Sequence, residues 1–247
     1  MIRVAAVGDV HLGPDVRGRL RPAYRGIDAD ADALLLAGDL TQHGTLDEAH
    51  VVAAEFAGLP VPVVAVLGNH DYHSGQQQQI TALLQDAGIT VLEGSGTVLS
   101  VPGGRLGVAG TKGFGGGFPG KCATEFGEPE LKTFVSVSRA MAAGLRDALE
   151  SLAGLGADAR VALTHYAPVE DTLKGEPPEI YPFLGSYFLA EAGDSAGAGL
   201  MVHGHAHAGT ERGCTPGGVS VRNVALPVLH RAYAVYCLHG PQRPGCA

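Results

Sequence analysis

Residues 33–71 of the chain read "ALLLAGDLTQHGTLDEAHVVAAEFAGLPVPVVAVLGNHD", two apolar runs that each end in glycine followed by Asp or Asn. Between the runs, Thr45 and Glu48 form the pattern of a capping box before apolar residues at helical spacing, and Gly58 and Pro60 end that spacing. Runs rich in Val and Leu are typical of buried strands. The stretch therefore predicts a strand–helix–strand unit with a polar side chain after each strand.

The same pattern recurs along the chain, beginning with "VAAVGDVH" at residues 4–11. Further predicted elements are strands over 160–168, 200–207, 219–226 and 232–238 and helices over 76–87 and 134–155. This alternation indicates an α/β fold with a mostly parallel sheet. Because no repeat or linker divides the sequence, we expect a single domain over residues 1–247.

Composition limits the class of partner. Lys and Arg number 17 against 25 Asp and Glu, which gives a formal net charge of -8 and argues against long nucleic acid as a ligand. The chain start lacks a secretion-signal pattern and no apolar run is long enough for a membrane span, so we expect a soluble, cytoplasmic protein. The four cysteines form no C-x-x-C pair and indicate neither a zinc knuckle nor a disulfide framework; they are Cys122, Cys214, Cys237 and Cys246.

Oxygen and nitrogen donors follow the predicted strands. Ligands of open α/β sheets bind outside the carboxyl ends of the strands, so these donors should meet there. They are Asp9, His11, Asp39, Asn69, His70, His165, His205 and His207. A mixed imidazole and carboxylate set without thiolate suits Mn, Fe or Zn better than Ca or Mg. Asp39 has two oxygens that can bridge two ions, the arrangement used for in-line displacement at phosphorus.

Three histidines alternate in "MVHGHAHAG", residues 201–209. In an extended strand, His203, His205 and His207 would face the same side and could aim at one point. The alternative is an edge strand that carries histidines without a ligand. The donors on the other strands favour the first interpretation for His205 and His207, whereas we expect His203 to support the site by hydrogen bonding.

The ordered series "GDVH", "GDLT", "GNHD", "THY" and "GHAH" resembles the calcineurin-like metallophosphoesterase superfamily. The resemblance implies an α/β fold of two stacked mixed β-sheets flanked by helices, a four-layer α/β/β/α sandwich. It makes Asp9, His11, Asp39 and His207 ligands of one metal ion. It makes Asp39, Asn69, His165 and His205 ligands of a second, the pair being transition-metal ions of undetermined identity.

The resemblance also implies a mechanism, in which a hydroxide bridging both metal ions attacks phosphorus in line. His70 is the candidate general acid for the leaving group, placed opposite Asn69 on an extended chain. Asp71 is expected either to orient the imidazole of His70 or to cap the following loop. Purple acid phosphatases are disfavoured, since His11 and Gln42 stand where their glycine and tyrosine would be.

The expected substrate is a small phosphodiester or phosphomonoester, possibly a nucleotide, because the "GNHD" ending looks most like small bacterial phosphodiesterases, including class III cyclic nucleotide enzymes. Two alternatives stay open: a nuclease, or a binding scaffold that has kept the fold and lost the chemistry. We expect no membrane partner, and the sequence does not indicate the oligomeric state.

Residues outside the motifs carry weaker signals. A loop with four arginines could grip an anionic substrate, but a solvated loop or an interface is the favoured interpretation; these are Arg17, Arg19, Arg21 and Arg25. Lys112 and Lys174 are interpreted in the same way. The glycines at 115–117 and the prolines at 177–178 predict loops that narrow the mouth of the site. The remaining histidines are expected to be surface or core residues without a role in the site, namely His43, His50, His73, His230 and His239.

Overall fold

The computed structural model describes residues 1–238, so His239 and Cys246 lie outside the described residues. In chain order the strands are Ile2–Val7 (β1), Ala33–Ala37 (β2), Val63–Val66 (β3), Thr90–Val91 (β4), Ser95–Val101 (β5), Gly104–Thr111 (β6), Gly117–Phe118 (β7), Lys121–Cys122 (β8), Ala159–Thr164 (β9), Leu200–His203 (β10), Arg212–Cys214 (β11), Ser220–Asn223 (β12) and Ala234–Leu238 (β13).

The α-helices are Ile27–Asp30 (α1), Leu46–Phe56 (α2), Gln77–Asp86 (α3), Pro129–Gly154 (α4), Tyr181–Leu184 (α5), Tyr187–Ser195 (α6) and Leu226–Leu229 (α7). Short 3-10 turns cover Pro14–Val16, Arg21–Tyr24, His70–Tyr72, Glu170–Leu173 and Pro178–Ile180. None of these helices, within residues 1–238, combines the length and apolar character needed to cross a membrane.

Two mixed sheets stack face to face. The first has the order β13-β1-β2-β3-β4, with β1 to β4 parallel and β13 antiparallel, and the second has the order β11-β12-β10-β9-β6-β5, with antiparallel strands at both edges. Alternate residues of β1 divide between two cores: Val4 and Ala6 face the second sheet, whereas Ala5 and Val7 pack under the helices. This confirms the expected two mixed sheets flanked by helices.

Helices cover the outer faces of both sheets. Val52 and Phe56 of α2 and Ile80 of α3 are buried against the first sheet, while Leu145 and Leu149 of α4 are buried against the second. The cause is the apolar stripe of each amphipathic helix, which is buried only by lying on a sheet. The result is four layers, with helices on the outside and sheets within.

The capping box predicted for α2 is present. The side chain of Thr45 accepts a hydrogen bond from the N–H of Glu48, and the carboxylate of Glu48 accepts one from the N–H of Thr45. Both bonds satisfy donors that the first turn of a helix leaves free. The box fixes where α2 begins, at Leu46, seven residues after Asp39.

Some predicted bounds were wrong. α4 begins at Pro129 and not at 134, because its first turn, "PELKT", is polar and lies outside the apolar spacing. The strand predicted over 160–168 ends at Thr164, and the strand predicted over 200–207 ends at His203. The predicted strands over 219–226 and 232–238 shorten to Ser220–Asn223 and Ala234–Leu238. The hairpin of β5 and β6 and the helix α6 were not predicted.

Candidate metal centre

Two buried carboxylates lie where β1 and β2 end. Asp9 is 2% exposed and Asp39 is 1% exposed, and each follows a strand in the middle of the first sheet. The N–H of Asp9 donates to the carbonyl of Gly38, and the N–H of His11 donates to the carbonyl of Asp39, which ties the two loops together. Parallel neighbouring strands therefore deliver both carboxylates to the same edge.

The backbone at this edge is strained. Within residues 1–238, the non-glycine residues with positive φ are Asp9, His11, Asp39, His205 and His230. Four of these five are predicted ligands. An L-residue in the left-handed region costs roughly 1–3 kcal/mol, and such strain clusters at functional sites. The hydrogen bonds between the two loops, from Asp9 to Gly38 and from His11 to Asp39, help to maintain this backbone conformation.

The donors form groups whose ligand atoms lie within 4.8 Å of one another. One group contains Asp9, His11 and His207, another contains Asp39, His165 and His205, and a third contains His11, Asp39 and His70. Nε2 of His207 lies 2.9 Å from Oδ1 of Asp9 and 3.5 Å from Nε2 of His11. These contacts gather Asp9, His11 and His207 on one side of the centre.

Asp39 lies between the groups. Its Oδ1 is 3.3 Å from Nε2 of His165, and its Oδ2 is 3.8 Å from Nε2 of His11. Asn69 completes the His165 side, since its Oδ1 is 2.9 Å from the same Nε2. The two oxygens of one carboxylate therefore face donors of different groups, as a bridging ligand requires.

Backbone carbonyls fix which ring nitrogen of two histidines is free. Nδ1 of His165 lies 2.9 Å from the carbonyl of Ala37, and Nε2 of His205 lies 3.3 Å from the carbonyl of Phe183. A carbonyl only accepts, so each of these nitrogens carries the hydrogen. The lone pairs are thus left on Nε2 of His165 and Nδ1 of His205, which is how ligating imidazoles are oriented in proteins.

Burial also keeps the imidazoles neutral. Burial lowers the pKa of His205 to about 3 and lowers the pKa of His165 well below its ordinary value, while burial raises the pKa of Asp9 to about 6. The hydrogen bond with Asp9 raises the pKa of His207 instead. At neutral pH the His165 side of the centre therefore consists of neutral imidazoles around a buried carboxylate.

This donor set fits metal ions. Within residues 1–238 the ion-pair partners of Asp9 and Asp39 are histidines alone. Two carboxylates buried this close together, with neutral imidazoles on the His165 side, favour bound cations that would neutralise their negative charge. Nitrogen and oxygen donors without sulfur match transition metals such as Mn, Fe or Zn.

His70 lies beside the centre, but not as expected. The segment His70–Tyr72 is a 3-10 turn, so His70 is not opposite Asn69 on an extended chain. Its Nδ1 lies 2.7 Å from the carbonyl of Gln42 and its Nε2 lies 3.9 Å from Oδ2 of Asp39. The carbonyl fixes the hydrogen on Nδ1 and turns Nε2 toward the centre.

The predicted contact of Asp71 with His70 is wrong. The carboxylate of Asp71 is fully buried and accepts hydrogen bonds from the N–H groups of Leu40, Thr41 and Gly68 and from the hydroxyl of Thr41. Burial raises its pKa to about 6. Asp71 therefore joins the loops after β2 and β3, which is neither of its two expected roles, since all its donors precede it in the chain. The carbonyl of Gln42 orients His70 instead.

His203 does not face the centre. Its strand ends there, and His205 has a φ of 70°, so the alternation does not continue through 205 and 207. His203 is fully buried, with Nδ1 2.7 Å from the carbonyl of Gly204 and Nε2 2.8 Å from the hydroxyl of Thr172. Both ring nitrogens are occupied by hydrogen bonds, so His203 braces the 170–173 turn.

Glycines press against the candidate ligands. An ideal Cβ on Gly68 would overlap Oδ1 of Asp39, and one on Gly204 would overlap Oδ2 of Asp9. Gly38, with a φ of 82°, would place a Cβ 2.6 Å from Nδ1 of His165. These positions leave no room for a side chain because the ligands occupy the space.

Comparison with known proteins agrees with this geometry. A sequence model described as calcineurin-like phosphoesterase matches residues 2–209. The chain belongs to the calcineurin-like phosphoesterase family. The match confirms the resemblance seen in the five ordered motifs, and it contains every residue of the candidate centre.

Two curated relatives in this family are similar over part of the chain. The Caenorhabditis elegans protein F40B5.2, named as a metallophosphoesterase, is 34% identical over 114 residues, which are 44% of this chain and 23% of the relative. An uncharacterized metallophosphoesterase of Aquifex aeolicus is 33% identical over 96 residues, 38% of this chain and 36% of the relative. The matched part thus spans well under half of either relative.

Solved structures show the same fold. A phosphopantetheinyl hydrolase from Mycobacterium tuberculosis superposes with a TM-score of 0.67 at 15% identity, covering 98% of both chains. A 5'-nucleotidase precursor from Thermus thermophilus superposes with a TM-score of 0.52 at 17% identity, covering 90% of this chain and 48% of the other. At these identities the likeness concerns the fold alone.

The glycine-rich loop predicted at the mouth lies against the segment 182–185. The N–H of Gly116 donates to the carbonyl of Pro182, and the N–H of Gly117 donates to the carbonyl of Gly185. The neighbouring Phe183 supplies the carbonyl that faces His205 and leaves its own side chain 62% exposed. The glycine-rich loop therefore packs against α5 and Gly185, next to Phe183 and the His205 ring, while a role of the prolines at 177–178 in narrowing the mouth stays a prediction.

The arginine loop has a structural anchor. Arg21 donates to the carbonyls of Glu55 and Ala57, where α2 ends, and its N–H donates to the buried carboxylate of Glu55. Arg17, Arg19 and Arg25 are exposed. Arg21 thus stabilises the end of a helix, in line with the favoured structural interpretation of this loop.

Three contacts of the centre escaped prediction. The carbonyls of Gln42 and Phe183 orient His70 and His205, and Tyr166 stacks on His205 with ring centroids 4.4 Å apart. Backbone carbonyls leave no residue-type signal in a sequence. Tyr166 directly follows His165 in the "THY" motif, so its position next to a predicted ligand was the available signal.

Proposed function

We propose that this chain is a metal-dependent phosphoesterase that hydrolyses a small phosphodiester or phosphomonoester, with His70 as general acid. The observation that carries the proposal is the position of Asp39, whose two oxygens face the imidazoles of two donor groups. Two bound metal ions would supply the charge that activates a water molecule and neutralises the phosphate oxygens.

The chain's own residues have separate tasks in this proposal. Asp9, His11 and His207 would hold one ion, and Asn69, His165 and His205 would hold the other, with Asp39 shared. His70 would deliver a proton to the leaving oxygen from Nε2, since its Nδ1–H is committed to Gln42. The side chain of His70 is 42% exposed, so both substrate and solvent can reach that nitrogen.

The substrate class rests on charge and on the relatives' names. An acidic chain with a net charge of -8 disfavours a polyanion, whereas a small ester would be held by the centre. A phosphopantetheinyl hydrolase and a 5'-nucleotidase share the fold, which supports a small organic phosphate. Cys122, Cys214 and Cys237 are free thiols, which supports the prediction of a cytoplasmic protein. The single domain over residues 1–247 stays a prediction.

The test combines metal analysis with a substrate screen. Metal-reconstituted protein is assayed on a nitrophenyl monoester, its diester, 2′,3′- and 3′,5′-cyclic nucleotides, and single- and double-stranded DNA. Asp39→Ala serves as the blank and Asp86→Ala, at an exposed helix end, as the matched control. We expect two ions per chain and turnover of a small ester in wild type and control, with both lost in Asp39→Ala.

Each alternative has its own signature in this screen. Full occupancy of both metals in Asp39→Ala would refute the shared ligand. Cleavage of DNA well above every small ester would favour a nuclease. Loaded metal sites without turnover on any substrate would favour a binding scaffold.

A further inference from the structure

Lys112 is a buried lysine directly after β6. It is 6% exposed, and within residues 1–238 it is the one Lys or Arg that is buried. Its carbonyl accepts hydrogen bonds from the N–H groups of His165 and Tyr166, each at 3.0 Å. The residue is therefore fixed to the loop that carries a predicted ligand.

Aromatic rings surround its ammonium group. Nζ lies 5.1 Å from the ring centroid of Tyr72, 4.9 Å from that of Phe114 and 5.1 Å from that of Tyr166. Cations at such distances from ring centroids are attracted by the negative faces of the rings. We call Tyr72, Phe114 and Tyr166 the aromatic box.

The ammonium group has spare hydrogen-bonding capacity. It donates one hydrogen bond, of 3.1 Å, to the carbonyl of Gly113. An ammonium carries three N–H donors. Across residues 1–238 no second acceptor lies within hydrogen-bond distance of Nζ, because the carboxylate of Glu93 binds the backbone N–H of Lys112 instead. Two donors of a buried cation are thus available to another molecule.

The aromatic box borders the candidate centre. The ring of Tyr166 contacts both sides, since its centroid lies 5.1 Å from Nζ of Lys112 and 4.4 Å from the ring centroid of His205. Tyr72 belongs to the turn that carries His70. Tyr72 and Phe114 are only partly buried, so the box also borders solvent. The cation consequently lies one ring away from a predicted ligand.

We propose that Lys112 is a substrate-binding residue whose ammonium group donates hydrogen bonds to an anionic oxygen of the phosphate ester. The inference rests on the proposed function. A charge shielded from water by rings acts more strongly on an anion than an exposed lysine or arginine does. Arg21 cannot take this role, since its guanidinium is bound to carbonyls at the end of α2.

Lys112→Met is the main variant, because methionine keeps an unbranched apolar stem inside the aromatic box. Lys174→Met is the matched control, at an exposed lysine paired with Asp171. For each metal-loaded protein, metal content, thermal unfolding, the Kd for inorganic phosphate, and kcat and KM on the nitrophenyl diester are measured. We expect Lys112→Met to keep its metal while the Kd and KM each rise about tenfold or more, and Lys174→Met to match wild type.

A Kd for phosphate within twofold of wild type in Lys112→Met would overturn the proposal and leave Lys112 a packing role. If that variant does not fold, Lys112→Gln is used with the same criterion, since it keeps a polar group in the box. Phosphate binding needs no turnover. A wild-type protein that binds phosphate but hydrolyses nothing would therefore refute the proposed function while the Lys112 comparison still decides this inference.

Discussion

Replacing Asp71 should destabilise the protein more than any other single carboxylate outside the candidate ligands. Its side chain is buried and accepts hydrogen bonds of 3.2, 2.8 and 2.7 Å from the N–H groups of Leu40, Thr41 and Gly68. Asp71→Ala would leave these three donors buried without an acceptor. The hydroxyl of Thr41, 2.6 Å from the carboxylate, can rotate to another partner.

The size of the effect follows from those donors. Each buried donor without a partner costs about 1–3 kcal/mol, and water entering the vacated space recovers part of that. We therefore expect the free energy of unfolding to fall by about 4 kcal/mol. In a chain of this length, each kcal/mol corresponds to about 2–4 °C in Tm, so the Tm should fall by roughly 8–16 °C.

The assay is thermal and urea unfolding of the metal-free protein, so that metal binding does not contribute. Asp71→Asn keeps one acceptor oxygen and should lose about half as much, which provides a measurable variant if Asp71→Ala does not fold. Asp86→Ala, exposed at the end of α3, is the control and should stay within about 0.5 kcal/mol of wild type. A loss below about 1 kcal/mol in Asp71→Ala would refute this account of the carboxylate.

Three further outcomes are expected. His70→Ala should keep its metals and lose about 10²-fold in kcat on an alkyl ester but less on a nitrophenyl ester, with His73→Ala as control, and an equal loss on both esters would argue against proton donation. Burial favours a raised pKa for Glu48, but hydrogen bonds from His43 and Thr45 together outweigh it and hold the pKa below its ordinary value. The ionised form therefore stabilises the fold above the unfolded pKa, and the stability gap to Glu48→Gln should close as the pH falls through the folded pKa, as pH-dependent urea unfolding will show. Arg21→Met should lower the free energy of unfolding by about 1 kcal/mol with KM unchanged, and a raised KM would place that loop at the substrate.

The fold was predictable where local signals were strong. The capping box of Thr45 and Glu48 and the apolar runs before Asp39 and Asn69 depend on neighbours a few residues away, and the structure has α2, β2 and β3 at these positions. The second sheet was predicted from the resemblance to a family and not from the apolar patterns. The hairpin of β5 and β6 was missed. The turn-forming residues "PGG" at 102–104, where Val101 pairs with Gly104, were the available signal.

The candidate centre was predictable as a set of residues but not as a set of contacts. The positions of Asp9, Asp39 and His165 after parallel strands bring them together whatever the details of the loops. The strand predicted through His205 and His207 was wrong, because it ends at His203. The role of Asp71 was missed because its partners are backbone N–H groups, which no residue type reveals, and those of Leu40 and Thr41 are 31 and 30 residues away.

A saturation mutagenesis screen scored only by activity would not distinguish the candidate ligands from the glycines packed against them. Gly38, Gly68 and Gly204 should prove as intolerant as the carboxylates and imidazoles they touch, although none of them has a side chain that could bind a metal or a substrate. The space left by their missing side chains is occupied by the donors of the candidate centre. Scoring the same library by folded yield in the presence of chelator would separate the two kinds of position. Truncating a ligand side chain removes a donor without adding atoms, whereas a methyl group on one of these glycines overlaps a neighbouring residue.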